Sequence, residues 1–347
     1  MLAISEKVLS RLLRQLNNTQ CMRLLRSLSD GLGAFSAQRT SSIKHIHQPL
    51  RSAIVTDNGD TSLFMPVSDT ATTGIKVVTV PAKGNIEGVI NVLSPAGKLL
   101  GILSAAEVTA FRTALATMTL LTRCPSLSKN NIVVFGSGRQ AEWHARLALL
   151  LFPDEVSSVT FINRGQKRLD SMLSELLPDL QQRHPGVTFT AFSKEGDPDY
   201  DSRLQTDLAS SDVISCCTPS TEPLFPYAHL RKSRKQRFIS LIGSYKPHMQ
   251  EIDTDTLLSG GGRIYVDSKE ACLEESGELV RAQVNESQLV EIGELFAPGS
   301  AYGNVTPSTD VNVVFKCVGM GIMDLVIAKT LLTMAGELNI GTHVDGF

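Results

Sequence analysis

The chain has 347 residues, and its charges nearly balance: 33 Lys and Arg against 35 Asp and Glu, for a formal net charge of -2 at pH 7. This length predicts about two domains, and 42% hydrophobic residues are enough for a sizeable core. The charge balance excludes broad, non-specific nucleic-acid binding, which needs clustered positive charge. The sequence has no run of about 20 apolar residues, so we expect no membrane-spanning helix.

Six cysteines occur without a C-x-x-C pair. This pattern predicts free thiols in a reducing compartment, and we expect a cytoplasmic protein. His45 and His47 are the only histidines close together in the sequence. Alternating strand positions explain this pair better than a zinc site does, so we expect no metal.

The first part of the chain predicts a helix, then antiparallel strands, then another helix. Ser5 is a suitable N-cap for an amphipathic helix that reaches Leu16, with a mitochondrial presequence as the alternative. Apolar runs between residues 43 and 103, broken by Gly, Pro, Asn and Asp, predict β-hairpins. Ser104 and Glu107 then form a capping-box signature for a helix that ends near Thr122.

The pattern changes after a linker at residues 125–131. Short buried strands now alternate with helical segments, which is typical of parallel β-α-β units. We predict an α/β fold with a Rossmann-type doubly wound parallel sheet in residues 125–310. An α+β domain for substrate binding and dimerisation is expected from residues 1–124 with 311–347.

A G-x-G-x-x-A motif follows the first of these strands and precedes a helix. In this context the first glycine permits a tight turn, the second lets the main chain approach a pyrophosphate, and the alanine keeps the helix close to the sheet. An ordinary glycine turn is the alternative. We predict a dinucleotide site formed by Gly136, Ser137, Gly138, Arg139, Gln140 and Ala141.

The next strand ends at Asn163 and Arg164, with Lys167 close behind and no acid among them. NAD-binding domains usually place an acid here on the ribose 2′-hydroxyl, whereas arginine can pair with a 2′-phosphate. We therefore expect NADP(H) as the preferred cofactor and NAD(H) as the alternative. A solvated loop charge is the competing explanation of Arg164.

Three cations enter apolar segments before residue 124: Arg51, Lys76 and Arg112. A buried arginine needs a fixed anion, which a protein carboxylate or a substrate carboxylate would supply. A lysine near a strand end can also reach solvent along its own stem. Together, the three cations suggest a pocket for a small anionic substrate.

At these positions the chain resembles the ornithine cyclodeaminase/mu-crystallin family, and it is most similar to the mu-crystallin and ketimine reductase side. The resemblance covers nearly the whole chain. The motifs that carry it are Gln48-Pro-Leu-Arg51, Gly74-Ile-Lys76, Phe111-Arg112-Thr113-Ala114, the glycine turn, Ile162-Asn163-Arg164, Thr221-Glu222-Pro223, Gly243-Ser-Tyr-Lys-Pro247 with Glu251, Val266-Asp-Ser-Lys-Glu-Ala271, Glu275-Ser-Gly-Glu278, and Phe315-Lys-Cys-Val-Gly319 with Asp324.

The resemblance implies a homodimer that acts on a small amino or imino acid. It implies that Arg51, Lys76 and Arg112 grip the substrate carboxylate, with Lys76 and Arg112 serving in catalysis. It also implies cofactor contacts from the glycine turn, from the loop after the second strand, and from a further group of residues, namely Cys217, Thr218, Pro219 and Ser244.

One position departs from the family pattern. Bacterial cyclodeaminases carry a catalytic aspartate where this chain has Tyr245, and a phenol is not ionised at neutral pH as a carboxylate is. We therefore expect an oxidoreductase that reduces the C=N bond of a small α-imino acid. The alternatives are cyclodeamination of ornithine or lysine, and cofactor binding with little catalysis.

Overall fold

The computed structural model confirms the predicted α/β architecture, and it describes residues 1–84, 86–233, 235–296, 304–305 and 311–346. Contacts divide the chain into two units. The first unit comprises Met1–Arg112, Gly293–Ala301 and Gly319–Phe347, and the second comprises Thr113–Ile292 and Tyr302–Val318.

The sequence prediction placed the domain boundaries at residues 124 and 311, whereas the contacts place them at Arg112 and Gly319. At the first boundary, the difference arises because one helix, residues 105–121, contributes its first half to the first unit and its second half to the second.

The strands and helices follow in chain order. Up to the first boundary they are β1 (Leu2–Ile4), α1 (Glu6–Arg14), α2 (Asn18–Ala37), β2 (Ser52–Val55), β3 (Thr61–Ser68), β4 (Thr73–Val80), β5 (Glu87–Leu93), β6 (Leu99–Ser104) and α3 (Ala105–Leu121). The remainder are β7 (Asn131–Phe135), α4 (Arg139–Leu151), β8 (Ser158–Asn163), α5 (Gln166–Arg183), β9 (Thr188–Ser193), α6 (Tyr200–Ser210), β10 (Val213–Cys216), α7 (Ala228–Arg231), β11 (Phe238–Leu241), α8 (Thr254–Leu258), β12 (Ile264–Val266), α9 (Lys269–Glu275), α10 (Gly277–Arg281), β13 (Leu289–Glu291), β14 (Val313–Lys316), α11 (Gly321–Glu337) and β15 (Thr342–His343).

The first unit contains a seven-stranded sheet in the order β15-β1-β6-β5-β4-β3-β2. Strands β2 to β6 pair antiparallel, which confirms the predicted hairpins, and β1 joins β6 in parallel. Alternate side chains of a strand face opposite sides of a sheet, and in β4 the buried set is Gly74, Lys76 and Val78. Helix α11 packs against β3, β4 and β5, and its Leu325 approaches Gly74.

The second unit contains an eight-stranded sheet in the order β13-β12-β14-β11-β10-β7-β8-β9, with every neighbouring pair parallel. Strands β10, β11 and β14 are buried along their whole length, as expected for the middle of a doubly wound sheet. Because parallel strands end at the same edge, the loops after β7, β8, β10 and β11 all lie there. These loops carry the predicted cofactor residues.

The first helix is confirmed, but three elements of the first unit, β1, α2 and β15, lie outside the sequence prediction. Helix α1 begins after Ser5, whose hydroxyl accepts a hydrogen bond from the Val8 amide. Strand β1 is three residues long and pairs with strands remote in sequence, so no local periodicity marks it. Helix α2 begins at a capping box between Asn17 and Gln20, a local signal that would have revealed it.

Candidate functional site

A buried ion cluster lies on the inner face of the first unit's sheet. Lys76 belongs to β4, Arg112 to α3 and Asp324 to the first turn of α11. The Lys76 Nζ lies 2.7 Å from Asp324 Oδ2, and the Arg112 Nε lies 3.0 Å from Asp324 Oδ1. The three side chains are at most 4% exposed. A single carboxylate is thus shared by two cations, away from bulk water.

The electrostatics of this cluster favour a further negative charge. Burial, the largest cause, lowers the pKa of Lys76 from 10.5 to about 8; Asp324 opposes the shift, while the positive charges of Arg112 and Arg51 add to it. Arg51 precedes β2 and is half-buried. Burial disfavours a charge of either sign, but the positive charges of Arg112 and Arg51 that add to the shift also attract an anion. A small carboxylate is a group that this arrangement can bind.

Two contacts fix the neighbourhood of the cluster. The Gln48 Oε1 accepts a hydrogen bond from the Ile322 amide at 2.7 Å, which ties the segment that carries Arg51 to the start of α11. Gly319 has a φ of +91°, and a Cβ there would lie 2.7 Å from both terminal nitrogens of Arg112. Glycine therefore lets the main chain lie directly against the guanidinium.

Asp324 is the residue that the sequence prediction of the site lacks. The sequence leaves a protein carboxylate and a substrate carboxylate open as the anion for Arg112, and the structure supplies a protein carboxylate, Asp324, to both Arg112 and Lys76. Burial of the two cations therefore does not by itself require a substrate. Asp324 is an acid in an otherwise apolar stretch of helix, the same signal that singles out Arg112, but 212 positions separate the two residues.

The glycine turn of the second unit has the predicted strand-turn-helix form. Gly136 follows β7 with a φ of +117°, and a Cβ there would lie 2.7 Å from the Cys217 carbonyl oxygen. A Cβ on Gly138 would instead enter open space, and Gly138 gives the first turn of α4 no side-chain cap. Ala141 is fully buried, so α4 packs closely on the sheet.

This turn leaves room for the phosphates of a dinucleotide. The main-chain amides at the start of α4 point outward from the helix end, where they can bind a phosphate. Ser137 and Gln140 are half-buried and Arg139 is exposed around them. Binding by these residues stays a prediction.

A side-chain hydrogen bond within the loop after β8 fixes the shape of that loop. The Asn163 Nδ2 donates a hydrogen bond to the Gly165 carbonyl oxygen at 2.7 Å. Arg164 and Lys167 are exposed on this loop. They are therefore accessible to a phosphate group, as the sequence prediction requires.

A second buried charge cluster connects the loops after β10 and β11. The Glu251 Oε1 accepts hydrogen bonds from the Thr218 amide and hydroxyl, at 2.7 and 3.1 Å. The Glu251 Oε2 accepts from the amides of Ile242, Gly243 and Ser244, at 3.1, 2.8 and 3.3 Å. This carboxylate therefore fixes both loops through their main chains.

Lys316 and Glu278 complete this cluster around Ser244. The Ser244 hydroxyl donates to Glu278 Oε1 at 2.5 Å, and the Lys316 Nζ donates to the same hydroxyl and to the Ser244 carbonyl oxygen. The Lys316 Nζ lies 3.5 Å from Glu278 Oε2. The Ser244 side chain is thus buried and engaged inside the protein. Its amide and carbonyl oxygen are engaged in the same cluster, by Glu251 and Lys316, so a cofactor contact by Ser244 stays a prediction.

The two acids of this cluster have opposite pKa shifts. Burial raises the pKa of Glu251 to about 7, against the lowering effects of Lys316 and the amides. Burial also acts to raise the pKa of Glu278, but Lys316, the Ser244 hydroxyl and main-chain hydrogen bonds outweigh it and hold that pKa below its ordinary value. Lys316 stands in an apolar run, which signals burial, but Glu251 and Glu278 have polar neighbours in the sequence, and nothing local marks the contact of the three.

The remaining predicted positions lie nearby in the second unit. Cys217 and Thr218 are half-buried and Pro219 is exposed after β10. Tyr245 is half-buried directly after Ser244, and the Lys246 Nζ lies 5.7 Å from the centre of its ring. All six cysteines are free thiols.

The described part of the chain contains neither a group of metal-binding side chains nor a membrane-spanning helix. Within residues 1–84, 86–233, 235–296, 304–305 and 311–346, no three His, Cys, Asp or Glu side chains are grouped so that they could hold a metal ion. In the same ranges, every helix is too short or too polar to cross a membrane. His47 pairs with Ser68 in an isolated β-bridge.

Comparison with known proteins shows the family. The model of the ornithine cyclodeaminase/mu-crystallin family matches residues 12–337, and the chain belongs to this family. It is 31% identical over 304 residues to the uncharacterized protein YGL159W of Saccharomyces cerevisiae, covering 80% of this chain and 82% of that one. It is 26% identical over 332 residues to a Δ1-pyrroline-2-carboxylate reductase of Bacillus cereus, covering 90% and 92%.

The fold is also similar to a solved structure. The Δ1-pyrroline-2-carboxylate reductase of Thermococcus litoralis, in complex with NADH and L-proline, matches with a TM-score of 0.79 and 19% identity. The match covers 99% of this chain and 100% of that chain. At this identity the likeness shows the shared fold.

Proposed function

We propose that this member of the ornithine cyclodeaminase/mu-crystallin family is a nicotinamide-dependent oxidoreductase that reduces the C=N bond of a small α-imino acid. The observation that carries the proposal is the Asp324 carboxylate shared by Lys76 and Arg112, with the charge of Arg51 also acting on the lysine. Such a field favours a small carboxylate ligand. The similarity to the reductase of Bacillus cereus makes a cyclic imine the first substrate to test.

Each residue of the cluster has a role in this reaction. Arg51 and Arg112 bind the substrate carboxylate, and Asp324 holds Arg112 and Lys76 in position. Lys76 donates a proton to the imine nitrogen, and a pKa of about 8 lets it do so near neutral pH. The reduction adds one hydride to carbon and one proton to nitrogen, so the protein needs no nucleophile.

The second unit fits the cofactor. The open space at Gly138 and the uncapped start of α4 would receive the pyrophosphate, bordered by Ser137, Arg139 and Gln140. When bound, the cofactor supplies the hydride. The protein's contribution is to hold the substrate carbon and the nicotinamide in reacting geometry.

We assign NADP(H) as the preferred form, with NAD(H) as the alternative. The support is the exposed pair Arg164 and Lys167 on the ribose loop. Arg164→Asp should shift the preference from NADPH toward NADH, which the KM values for both cofactors measure. Unchanged KM values would show that Arg164 does not bind the 2′-phosphate.

The proposal includes a homodimer in the cytoplasm. The outward face of the first unit's sheet carries half-exposed apolar side chains, among them Phe64, Ile75 and Val77, and a second copy would cover them. A cavity of about 500 Å³ on this sheet is lined in part by Val89, Leu93 and Ile102. Six free thiols fit a reducing compartment.

A substrate screen that follows NADPH absorbance tests the function. The panel contains Δ1-pyrroline-2-carboxylate, Δ1-piperideine-2-carboxylate, and pyruvate or glyoxylate mixed with methylamine. We expect NADPH oxidation with at least one of these imines, and formation of the corresponding amine.

Two results would contradict the proposal. Release of ammonia from ornithine without net cofactor turnover would identify a cyclodeaminase. If NADPH quenches the protein's fluorescence but is not oxidised with any imine of the panel, the chain is a cofactor-binding protein and not a reductase.

A further inference from the structure

The loop after β9 is fastened to the ribose loop after β8. The Lys194 amide donates a hydrogen bond to the Asn163 carbonyl oxygen at 3.0 Å, and the Glu195 amide donates to the Arg164 carbonyl oxygen at 3.1 Å. These bonds continue the β8-β9 pairing beyond the ends of the strands. The main chain of Glu195 is therefore fixed beside Arg164.

A side-chain contact strengthens the same junction. The Ser193 hydroxyl is buried; it donates to Gln166 Oε1 at 2.7 Å and accepts from the Gly196 amide at 2.8 Å. The residues on both sides of Glu195 are thus held by hydrogen bonds. The Glu195 side chain is exposed, but the loop that carries it is fixed by these hydrogen bonds.

The Glu195 carboxylate lies at the start of α5. Its Oε2 accepts a hydrogen bond from the Gln166 amide at 3.0 Å, and it lies 3.4 Å from where a Cβ on Gly165 would be. Helix α5 has 18 residues, and its N-cap Gly165 has no side chain to satisfy that amide. Glu195 therefore acts as the anion at the positive end of α5.

This location matters for the choice of cofactor. In a Rossmann fold, the loop after the second strand meets the ribose of the adenosine half of the cofactor. A 2′-phosphate on that ribose is bound by a nearby arginine, and helix amides are a favourable partner for its charge. A carboxylate already on the Gln166 amide competes for that donor and repels the phosphate.

We propose that Glu195 is a specificity-determining residue: its carboxylate occupies the amide at the start of α5 and so weakens the binding of the 2′-phosphate of NADP(H). Glu195 thereby reduces the ratio of NADPH affinity to NADH affinity that Arg164 raises, and the protein can still use NAD(H). The inference rests on the nicotinamide cofactor of the proposed function, but it concerns binding and needs no turnover.

Substitution Glu195→Gln tests this role without disturbing the loop. It removes the charge and keeps a carbonyl oxygen that can accept from Gln166. Fluorescence titration of the full chain gives the Kd values for NADPH and NADH, and calorimetry gives those for 2′,5′-ADP and 5′-AMP. We expect the Kd values for NADPH and 2′,5′-ADP to fall about fivefold, and those for NADH and 5′-AMP to change less than about twofold.

Glu175→Gln is the matched control. It removes a carboxylate of the same charge from α5 itself, about 13 Å from the start of the helix, and should leave the ratio of the two Kd values unchanged. An unchanged ratio in Glu195→Gln would overturn the proposal. Weaker NADH binding at constant NADPH binding would also overturn it, because Glu195 would then hold the ribose hydroxyl.

The outcomes separate this inference from the proposed function. A wild-type chain that binds neither nucleotide would refute both. A chain that binds them with the expected response to Glu195→Gln, yet reduces no imine, would refute the proposed function alone.

Discussion

The buried charge clusters around Asp324 and around Lys316 have opposite compositions. In the first unit, the cations Lys76 and Arg112 share the single carboxylate of Asp324. In the second unit, Glu251 and Glu278 surround the single ammonium of Lys316. Both clusters are buried, so charge left over in either must be stabilised by other groups.

The clusters differ in how that excess is stabilised. Glu251 accepts four amide hydrogen bonds and one hydroxyl hydrogen bond, all from within the second unit. Its surplus negative charge is met by fixed donors, which is a structural arrangement. In the first unit, burial is the main cause of the lowered pKa of Lys76 and the positive charges of Arg112 and Arg51 add to it, which suits a mobile anion. We therefore expect variants of the second cluster to lose stability and variants of the first to lose activity.

The largest effect is expected from Lys316→Met in the second unit. Removing the ammonium leaves two buried acids without their cation, at a cost of about 3–5 kcal/mol in the free energy of unfolding. Chemical denaturation measures it. The control is Lys329→Met, whose lysine pairs with Asp69 at 2.6 Å while 34% exposed, and which should cost at most about 1 kcal/mol. Equal costs for both variants would erase the distinction between the clusters.

Arg112→Ala should act on catalysis in the first unit. Losing a buried partner of a substrate carboxylate should lower kcat/KM about a hundredfold or more. Steady-state kinetics with the imine found in the screen measure this, and the Kd for NADPH should stay near its wild-type value. Near-unchanged kinetics would leave Arg112 as a structural partner of Asp324.

Gly319→Ala tests whether the position of the Arg112 guanidinium matters for substrate binding, and it changes no charge. Its Cβ would lie 2.7 Å from both terminal nitrogens of Arg112 and displace the guanidinium. We expect a rise in KM of about tenfold, besides the strain of a positive φ, about 1–3 kcal/mol. Gly262→Ala is the control, since Gly262 has a φ of +81° and open space at its Cβ. If both variants change only stability, contact with Gly319 does not position Arg112 for substrate.

The effect that needs no substitution is a pH dependence set by Lys76. With a pKa of about 8, Lys76 loses its proton above that pH, so kcat/KM should fall by up to about tenfold per pH unit. Stability should change in the other direction. Between about 8 and 10.5 the unfolded chain holds a proton that the folded chain has lost, so the free energy of unfolding rises with pH. A pH profile of kcat/KM that is flat to pH 10 would contradict this role of Lys76.

The sequence predicts the parts of the site that depend on neighbours along the chain. The glycine turn is readable because strand, glycines and helix are consecutive, and Gly136 does have the positive φ that the motif requires. The sequence cannot identify the acid that pairs with Arg112, because Asp324 joins it from 212 positions away. Glu195 was missed for a similar reason, since it reaches the ribose loop from the next strand of the sheet.

The first unit is assembled from both ends of the chain, with Lys76 and Arg112 before the second unit and Asp324 after it. During synthesis on a ribosome, the two cations emerge long before the carboxylate that neutralises them. The first unit therefore cannot reach its native charge balance until α11 has been released. A premature stop codon just before α11 would leave these cations unneutralised, which marks such truncated products for aggregation or degradation.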